Sequence, residues 1–134
     1  MDRPVLEEEG TLVLPRRPAS IAETRRFVSS AIDDPETKEV AVLLASELST
    51  NAVRHGAGDF FLIRVRLDGA VRVEVSDESP KLPEQARPSR ESVGGRGLVL
   101  VDAFASRWGV DVQGSGKTVW FELAPRSETR SAKP

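Results

Sequence analysis

The sequence predicts an α+β domain: a two-layer sandwich whose sheet of about four or five strands, mixed but mostly antiparallel, carries three helices on one face. A chain of 134 residues fits one domain and not two. Its apolar pattern changes along the chain in the order strand, helix, helix, hairpin, loop, helix, hairpin. Two consecutive hairpins require mostly antiparallel pairing, unlike the repeating strand–helix units of a doubly wound parallel sheet.

The first two elements have recognisable starts and stops. Thr11–Leu14 is apolar enough for a short strand, and Pro15 ends it. Ser20 and Glu23 have the spacing of a capping box, which predicts that a helix starts at Ser20. Apolar residues at helical spacing continue this helix to about Asp33.

The second helix has a clearer beginning. Asp34 suits the N-cap, Pro35 suits the first helical position, and Glu36 favours the positive end of the helix dipole. We expect the helix to continue to about His55, where Gly56 supplies a left-handed stop.

The second half of the chain contains two hairpins and a helix. The predicted elements are strands Phe60–Leu67 and Val71–Val75 joined by Asp68 and Gly69, a loop from Asp77 to Gly94, a helix from Gly97 to Ala105, and strands Trp108–Gln113 and Thr118–Leu123. An Asp-Gly pair between alternating strands is a strong hairpin signal, and a loop this long is usually functional or disordered. We expect loose termini over residues 1–10 and 125–134, which leaves 11–124 as the domain.

Composition excludes several classes of function. Lys and Arg number 19 against 21 Asp and Glu, and this net charge of −2 disfavours a general nucleic-acid binder. The absence of cysteine and the single histidine exclude disulfides, zinc fingers and His-rich metal sites. No apolar run approaches the roughly 20 residues of a membrane span, and the acidic start is unlike a signal peptide. We therefore expect a cytoplasmic protein without direct contact to nucleic acid or membrane.

The second helix places two polar side chains beside its apolar stripe. Glu47 and Asn51 are four residues apart, so they share one face with Leu44 and Leu48. An unpaired carboxylate among apolar neighbours is costly. Two interpretations stay open: Glu47 is hydrogen-bonded to Asn51 at the edge of the stripe, or the pair lines a cleft for solvent, metal or ligand.

Two further features are weaker when taken alone. Asp77 ends the alternating strand, where carboxylates also serve as turn formers. The glycine cluster from Gly94 to Leu98 opens into a helix, whose free N–H groups and dipole suit an anion, although a plain hinge or N-cap has the same composition.

Together these segments resemble a known family. Glu47 to His55 resembles the N-box of the GHKL ATPases, Asp77 to Pro80 the first glycine box, Gly94 to Leu98 the second, and Gly116 to Thr118 the closing box. The order and spacing of these four segments agree with those of the family's motifs over about residues 11–124. The small size and the E-x-x-x-N-A-x-x-H form resemble the bacterial anti-sigma-factor serine/threonine kinases. The resemblance implies the Bergerat fold, with ATP and Mg²⁺ as cofactors.

The resemblance also implies roles for individual residues. Glu47 would be the general base that takes the proton of an acceptor hydroxyl. Asn51 would hold Mg²⁺ against the phosphates. Asp77 would accept a hydrogen bond from the exocyclic amine of adenine, with Thr118 supporting it directly or through water.

The phosphates would be bound from the second glycine box. Gly95, Arg96, Gly97 and Leu98 would bring backbone N–H groups to them. Arg54 would touch a phosphate, or would be a solvated arginine at the end of a helix.

The implied function is regulatory. Such a protein would bind a sigma factor and phosphorylate a serine or threonine of its small STAS-type anti-sigma-factor antagonist. The alternative is a nucleotide-dependent module that sequesters a partner and transfers nothing. An exposed strand edge at Thr11–Leu14 would offer a seam for a homodimer.

Overall fold

The computed structural model describes residues 5–8, 10–78, 93–114 and 116–124, with the backbone alone described for 5–8 and 93–97. Its elements, in chain order, are β1 Val5–Glu8, β2 Thr11–Pro15, α1 Ser20–Ala31, α2 Pro35–His55, β3 Phe60–Leu67, β4 Val71–Asp77, α3 Val93–Phe104, β5 Arg107–Gln113 and β6 Gly116–Leu123. The strands form one sheet in the order β1-β2-β3-β4-β6-β5, and each of these pairings is antiparallel. The predicted α+β class is confirmed.

The sheet and the helices form two layers with the core between them. Alternate residues of β2, β3, β4 and β6 are buried, which marks one face of the sheet as the inner one. The largest inner side chains include Leu14, Phe61, Ile63, Val73 and Phe121, which share a core with Val28, Leu44 and Val101 of the helices. All three helices therefore cover one face, as the pattern predicts.

The N-terminal segment differs from the prediction. We expected residues 1–10 to be loose, but β1 pairs with β2 through Val5 opposite Val13 and Leu6 opposite Leu12. Such a short strand has little signal of its own, because its stability comes from a partner that local pattern does not reveal. Its presence also means that Thr11–Leu14 is not an exposed edge, so a homodimer would need another surface. Residues 1–4 and 125–134 lie outside the described residues.

The start of α1 is anchored differently from the predicted capping box. Ser20 lies inside the helix, and its Oγ donates to the carbonyl of Pro15 at 2.6 Å. Glu23 instead accepts from Arg26 at 2.5 Å. The nearby strand end offers Ser20 a carbonyl acceptor that the local sequence pattern does not show.

The longest helix, α2, begins as predicted and ends differently. The Asp34 carboxylate accepts from the Thr37 backbone N–H at 2.9 Å, which confirms the N-cap. Gly56 at the other end has φ −79° and ψ −171°, so the predicted left-handed stop is wrong. None of the helices in the described ranges is both long and apolar enough to cross a membrane.

The third helix begins earlier than predicted. It starts at Val93, so Gly94 to Gly97 form its first turns rather than a loop before it. Glycine disfavours helix by about 1 kcal/mol per residue, which is why the sequence pattern placed the start at Gly97. The helix packs on α2 and β5. The remainder of the predicted loop, residues 79–92, lies outside the described residues.

Candidate functional site

Helix α2 presents Glu47 and Asn51 along one flank of its sheet-facing stripe. Leu44, Leu48 and Ala52 of that stripe are buried, whereas Glu47 and Asn51 are half-buried. Their Cα atoms are one turn apart, about 6 Å along the helix axis. The helix therefore holds a carboxylate and an amide side by side at the boundary between core and solvent.

The two side chains are not bonded to each other. Among the described side chains, neither Glu47 nor Asn51 takes part in a hydrogen bond or an ion pair. The structure therefore does not contain the internal Glu47–Asn51 hydrogen bond that was one of the two interpretations. The remaining interpretation is that these groups face a ligand or solvent: the carboxylate can take a proton, and the amide oxygen can ligate a hard cation.

Asp77, at the end of β4, is paired with a residue that the sequence analysis did not select. Lys117 Nζ lies 3.2 Å from Asp77 Oδ1 and 3.0 Å from Oδ2. The side chains are 5% exposed for Asp77 and 11% for Lys117. The two residues are cross-strand neighbours of β4 and β6, so the strand register places the ammonium against the carboxylate.

Two glycines allow the backbone to approach Asp77 closely. A Cβ at Gly56 would lie 3.0 Å from Asp77 Cγ and would also collide with the Ala52 carbonyl oxygen. A Cβ at Gly116 would lie 2.7 Å from the Asp77 carbonyl oxygen. The end of α2 therefore approaches the carboxylate of Asp77, and the beginning of β6 approaches its backbone, without side chains of their own. Asp77 thus lies in a cradle that a Cβ at either glycine would fill.

Arg16 fixes the end of α2 in this position. Its guanidinium donates to the carbonyls of Ala52 at 3.2 Å, Val53 at 2.5 Å and Gly58 at 2.7 Å. Two of these carbonyls belong to the last turn of the helix, where intrahelical donors run out; that of Ala52 also accepts from the Gly56 backbone N–H at 3.0 Å. Arg16 thus ties the helix that carries Asn51 to the end of β2, from where the sheet continues towards β4.

Thr118 is not beside Asp77. It is the cross-strand neighbour of Ser76, and the two hydroxyl oxygens are 2.6 Å apart. Successive strand residues point to opposite faces, so Thr118 and Ser76 lie on the outer face while Lys117 and Asp77 lie on the inner one. Lys117, and not Thr118, is therefore the direct cross-strand neighbour of Asp77, and the predicted role of Thr118 in adenine binding stays a prediction.

The other candidate residues are partly described. Arg54 is exposed in the last turn of α2, as a solvated helix-end arginine would be. Leu98 is half-buried and packs against the core. Gly95, Arg96 and Gly97 lie in the first turns of α3, and the Arg96 side chain lies outside the described part of the chain.

The outer face of the sheet carries a separate cluster of charges. Arg72 donates to Glu74 at 2.7 Å and to Glu122 at 2.9 Å, and its guanidinium lies 4.0 Å from the Trp120 ring centroid. Burial opposes the charged form of Arg72, but the hydrogen bonds and charges of the two glutamates outweigh it and raise the pKa of Arg72. A concavity of about 400 Å³ on this face is lined in part by Arg72 and Glu74. These charged side chains pair with one another. They lie on the outer face of the sheet, whereas Asp77 lies on the inner face.

The sequence model of the histidine kinase-like ATPase domain family matches residues 14–123 of this chain. The chain belongs to this family. The predicted membership of the GHKL ATPases is therefore confirmed, and the chain is an ATP-binding domain of the histidine kinase-like type. An uncharacterized protein of Streptomyces coelicolor is 38% identical over 86 residues, which cover 59% of this chain and 80% of that protein.

A solved structure of a histidine kinase domain shows the same fold. The histidine kinase domain of the blue-light activated histidine kinase from Erythrobacter litoralis EL346 superposes with a TM-score of 0.55 at 23% identity, over 88% of this chain and 64% of that one. The chain thus spans slightly less than two thirds of that histidine kinase. The histidine kinase AdeS of Acinetobacter baumannii has a TM-score of 0.46 and 15% identity, over 66% of this chain and 47% of that one.

The residues at the site have the chemistry that ATP and Mg²⁺ require. Asp77 offers acceptor oxygens in a glycine-lined cradle, and Asn51 offers an amide oxygen. Within the described ranges, no cluster of three or more His, Cys, Asp or Glu could hold a metal by itself. A magnesium ion here would take its other ligands from phosphate oxygens and water, as Mg²⁺ commonly does in nucleotide sites.

Sequence reasoning missed Lys117, Arg16 and the actual role of Gly56. A signal existed for Lys117: it alternates with the apolar Val119 and Phe121, which predicts that it points inward with them. Arg16 has no comparable signal, because its three carbonyl acceptors are brought to it by the packing of α2 on the sheet.

Proposed function

We propose that this chain is a cytoplasmic protein serine/threonine kinase of the anti-sigma-factor type. It transfers the γ-phosphate of ATP to a serine or threonine of a small STAS-type antagonist and thereby controls a sigma factor. The ATPase family supports the nucleotide part of this proposal. The observation that carries the transfer is the Glu47 carboxylate, which is half-buried and without a hydrogen-bond partner among the described residues, one helical turn from Asn51.

Each residue then has one task. Asp77 accepts a hydrogen bond from the adenine amine, and Asn51 gives its amide oxygen to Mg²⁺. When bound, the cation neutralises charge on the phosphates, which is the main requirement of phosphoryl transfer. The acceptor hydroxyl oxygen bonds to the γ-phosphorus, the bond from that phosphorus to the β–γ bridging oxygen breaks, and ADP leaves. Glu47 takes the hydroxyl proton.

Glu47 also distinguishes the kinase function from the alternative function of a sequestering module. Both functions require Asn51 and Asp77, because both bind nucleotide. A protein that transfers nothing has no use for a carboxylate next to the magnesium ligand, where it repels the phosphates. Glu47 is half-buried and has no hydrogen-bond partner among the described residues, and a catalytic role accounts for a carboxylate at this position.

The test uses two glutamates of the same helix. Glu47→Gln should leave ATP binding within about threefold and reduce transfer by a factor of roughly 10² to 10⁴, the usual contribution of a general base. Glu39→Gln, which changes an exposed glutamate of α2, is the matched control and should transfer normally. The assay is incubation with γ-labelled ATP and candidate antagonists from the same genome, followed by identification of the labelled residue. If wild type and Glu47→Gln both bind ATP and label no antagonist, the sequestering function replaces the kinase.

A further inference from the structure

The Asp77–Lys117 pair is unusual for a site that recognises a neutral base. Nζ is within hydrogen-bonding distance of both carboxylate oxygens, and the two side chains are only 5% and 11% exposed. A surface pair would add little to stability. A buried one constrains its surroundings, because neither charge can be left without the other.

The pair presents a donor next to an acceptor. An ammonium has three N–H donors. Even if Lys117 directs one N–H to each oxygen of Asp77, a third donor remains. A carboxylate has about four lone-pair sites, so both oxygens of Asp77 can accept hydrogen bonds in addition to those from Lys117. The pair therefore combines a hydrogen-bond donor with acceptor oxygens at one place in the site.

We propose that Lys117 is a specificity-determining residue that reads the Watson–Crick edge of adenine together with Asp77. This inference rests on the proposed nucleotide site. The edge of adenine has the complementary pattern, a donor amine at position 6 next to an acceptor nitrogen at position 1. Asp77 accepts from the amine while Lys117 donates to N1 and stays bonded to the carboxylate.

The competing arrangement has the adenine amine displace Lys117 from Asp77. That exchange would replace a hydrogen bond between two charged groups with one from a neutral donor to the same carboxylate, which lacks the attraction between opposite charges. It would also leave an ammonium that is 11% exposed without its countercharge. Joint recognition avoids both costs, and Gly56 adds no side chain of its own next to the Asp77 carboxylate.

The first experiment changes the ligand and leaves the protein intact. Calorimetry with Mg²⁺ compares ATP with 1-deaza-ATP, in which a C–H group replaces N1. Wild type should bind 1-deaza-ATP at least about 10-fold more weakly, because the analogue leaves a charged donor without its acceptor. Equal affinity for the two nucleotides overturns the inference and leaves the proposed ATP site standing. Absence of ATP binding by wild type overturns both.

The second experiment combines the analogue with a variant. Lys117→Met should weaken ATP binding by about the same factor and should no longer distinguish ATP from 1-deaza-ATP. Lys38→Met, which removes the same kind of side chain from the first turns of α2, is the control and should keep the full difference. Tighter ATP binding by Lys117→Met would mean that the nucleotide displaces the lysine, and this would overturn the inference.

Discussion

The buried pair of Asp77 and Lys117 should contribute to the stability of the domain, and a double-mutant cycle can measure its coupling. Asp77→Asn leaves the ammonium without a countercharge, and Lys117→Met leaves the carboxylate without one. Either change isolates a charge in a place where the side chains are 5% and 11% exposed. The double variant contains neither charge.

The expected loss of stability follows from the burial of the two side chains. Removing one partner of a buried ion pair costs about 3–5 kcal/mol, whereas replacing both is often nearly neutral. Because part of Lys117 still reaches solvent, we expect about 3 kcal/mol for each single change. The double variant should be nearly as stable as wild type, instead of losing the roughly 6 kcal/mol expected if the two changes were independent. The melting temperature of each single variant should fall by roughly 12 °C, at about 4 °C per kcal/mol for a domain of this size.

The assay is urea denaturation of the four proteins without nucleotide, followed by two-state analysis. The exposed Glu23–Arg26 pair of α1, whose side chains are 37% and 67% exposed, provides the matched control. A Glu23→Gln and Arg26→Met cycle should give a coupling of no more than about 0.5 kcal/mol. If the Asp77 and Lys117 changes add within the same 0.5 kcal/mol, the pair is not a buried electrostatic unit and the reasoning from its burial fails.

Three further changes test how the fold supports the site. Gly56→Ala should destabilise by about 1–3 kcal/mol, because the new Cβ collides with the Ala52 carbonyl oxygen; an unchanged urea midpoint would show that the helix end can shift freely. Asp34→Ala should cost about 1 kcal/mol, the usual value of an N-cap, through the lost bond from the Thr37 N–H, and the same denaturation measures it. Phe61→Ala, at 0% exposure in the core, should cost about 3–5 kcal/mol; a loss under 1 kcal/mol would contradict the assigned core.

The order and type of the elements could be predicted from local pattern. Alternation in β4 and helical spacing in α2 determine which faces are apolar, and an apolar face must be buried. The Asp34 cap and the Asp68-Gly69 turn depend on neighbouring residues alone, and both are present. The hairpin turn uses a left-handed Gly69 with φ +79°.

Part of the candidate site could also be predicted. The four-residue spacing of Glu47 and Asn51 places both on one flank of α2 because helix geometry fixes it. The position of Asp77 at the end of a strand follows from alternation. The spacing does not predict whether Glu47 has a hydrogen-bond partner, because such a partner would come from another element of the fold.

The sequence by itself determined the helices and most strands, the side-by-side placement of Glu47 and Asn51, and the family, because each depends on residues close together in the chain. Tertiary structure decided the rest. The pairing of β1, the early start of α3, the extended conformation of Gly56 and the choice of Lys117 over Thr118 beside Asp77 all depend on contacts between distant segments. A strand register that shifts by one residue exchanges the two faces, so only the assembled sheet determines which of two adjacent residues meets the carboxylate.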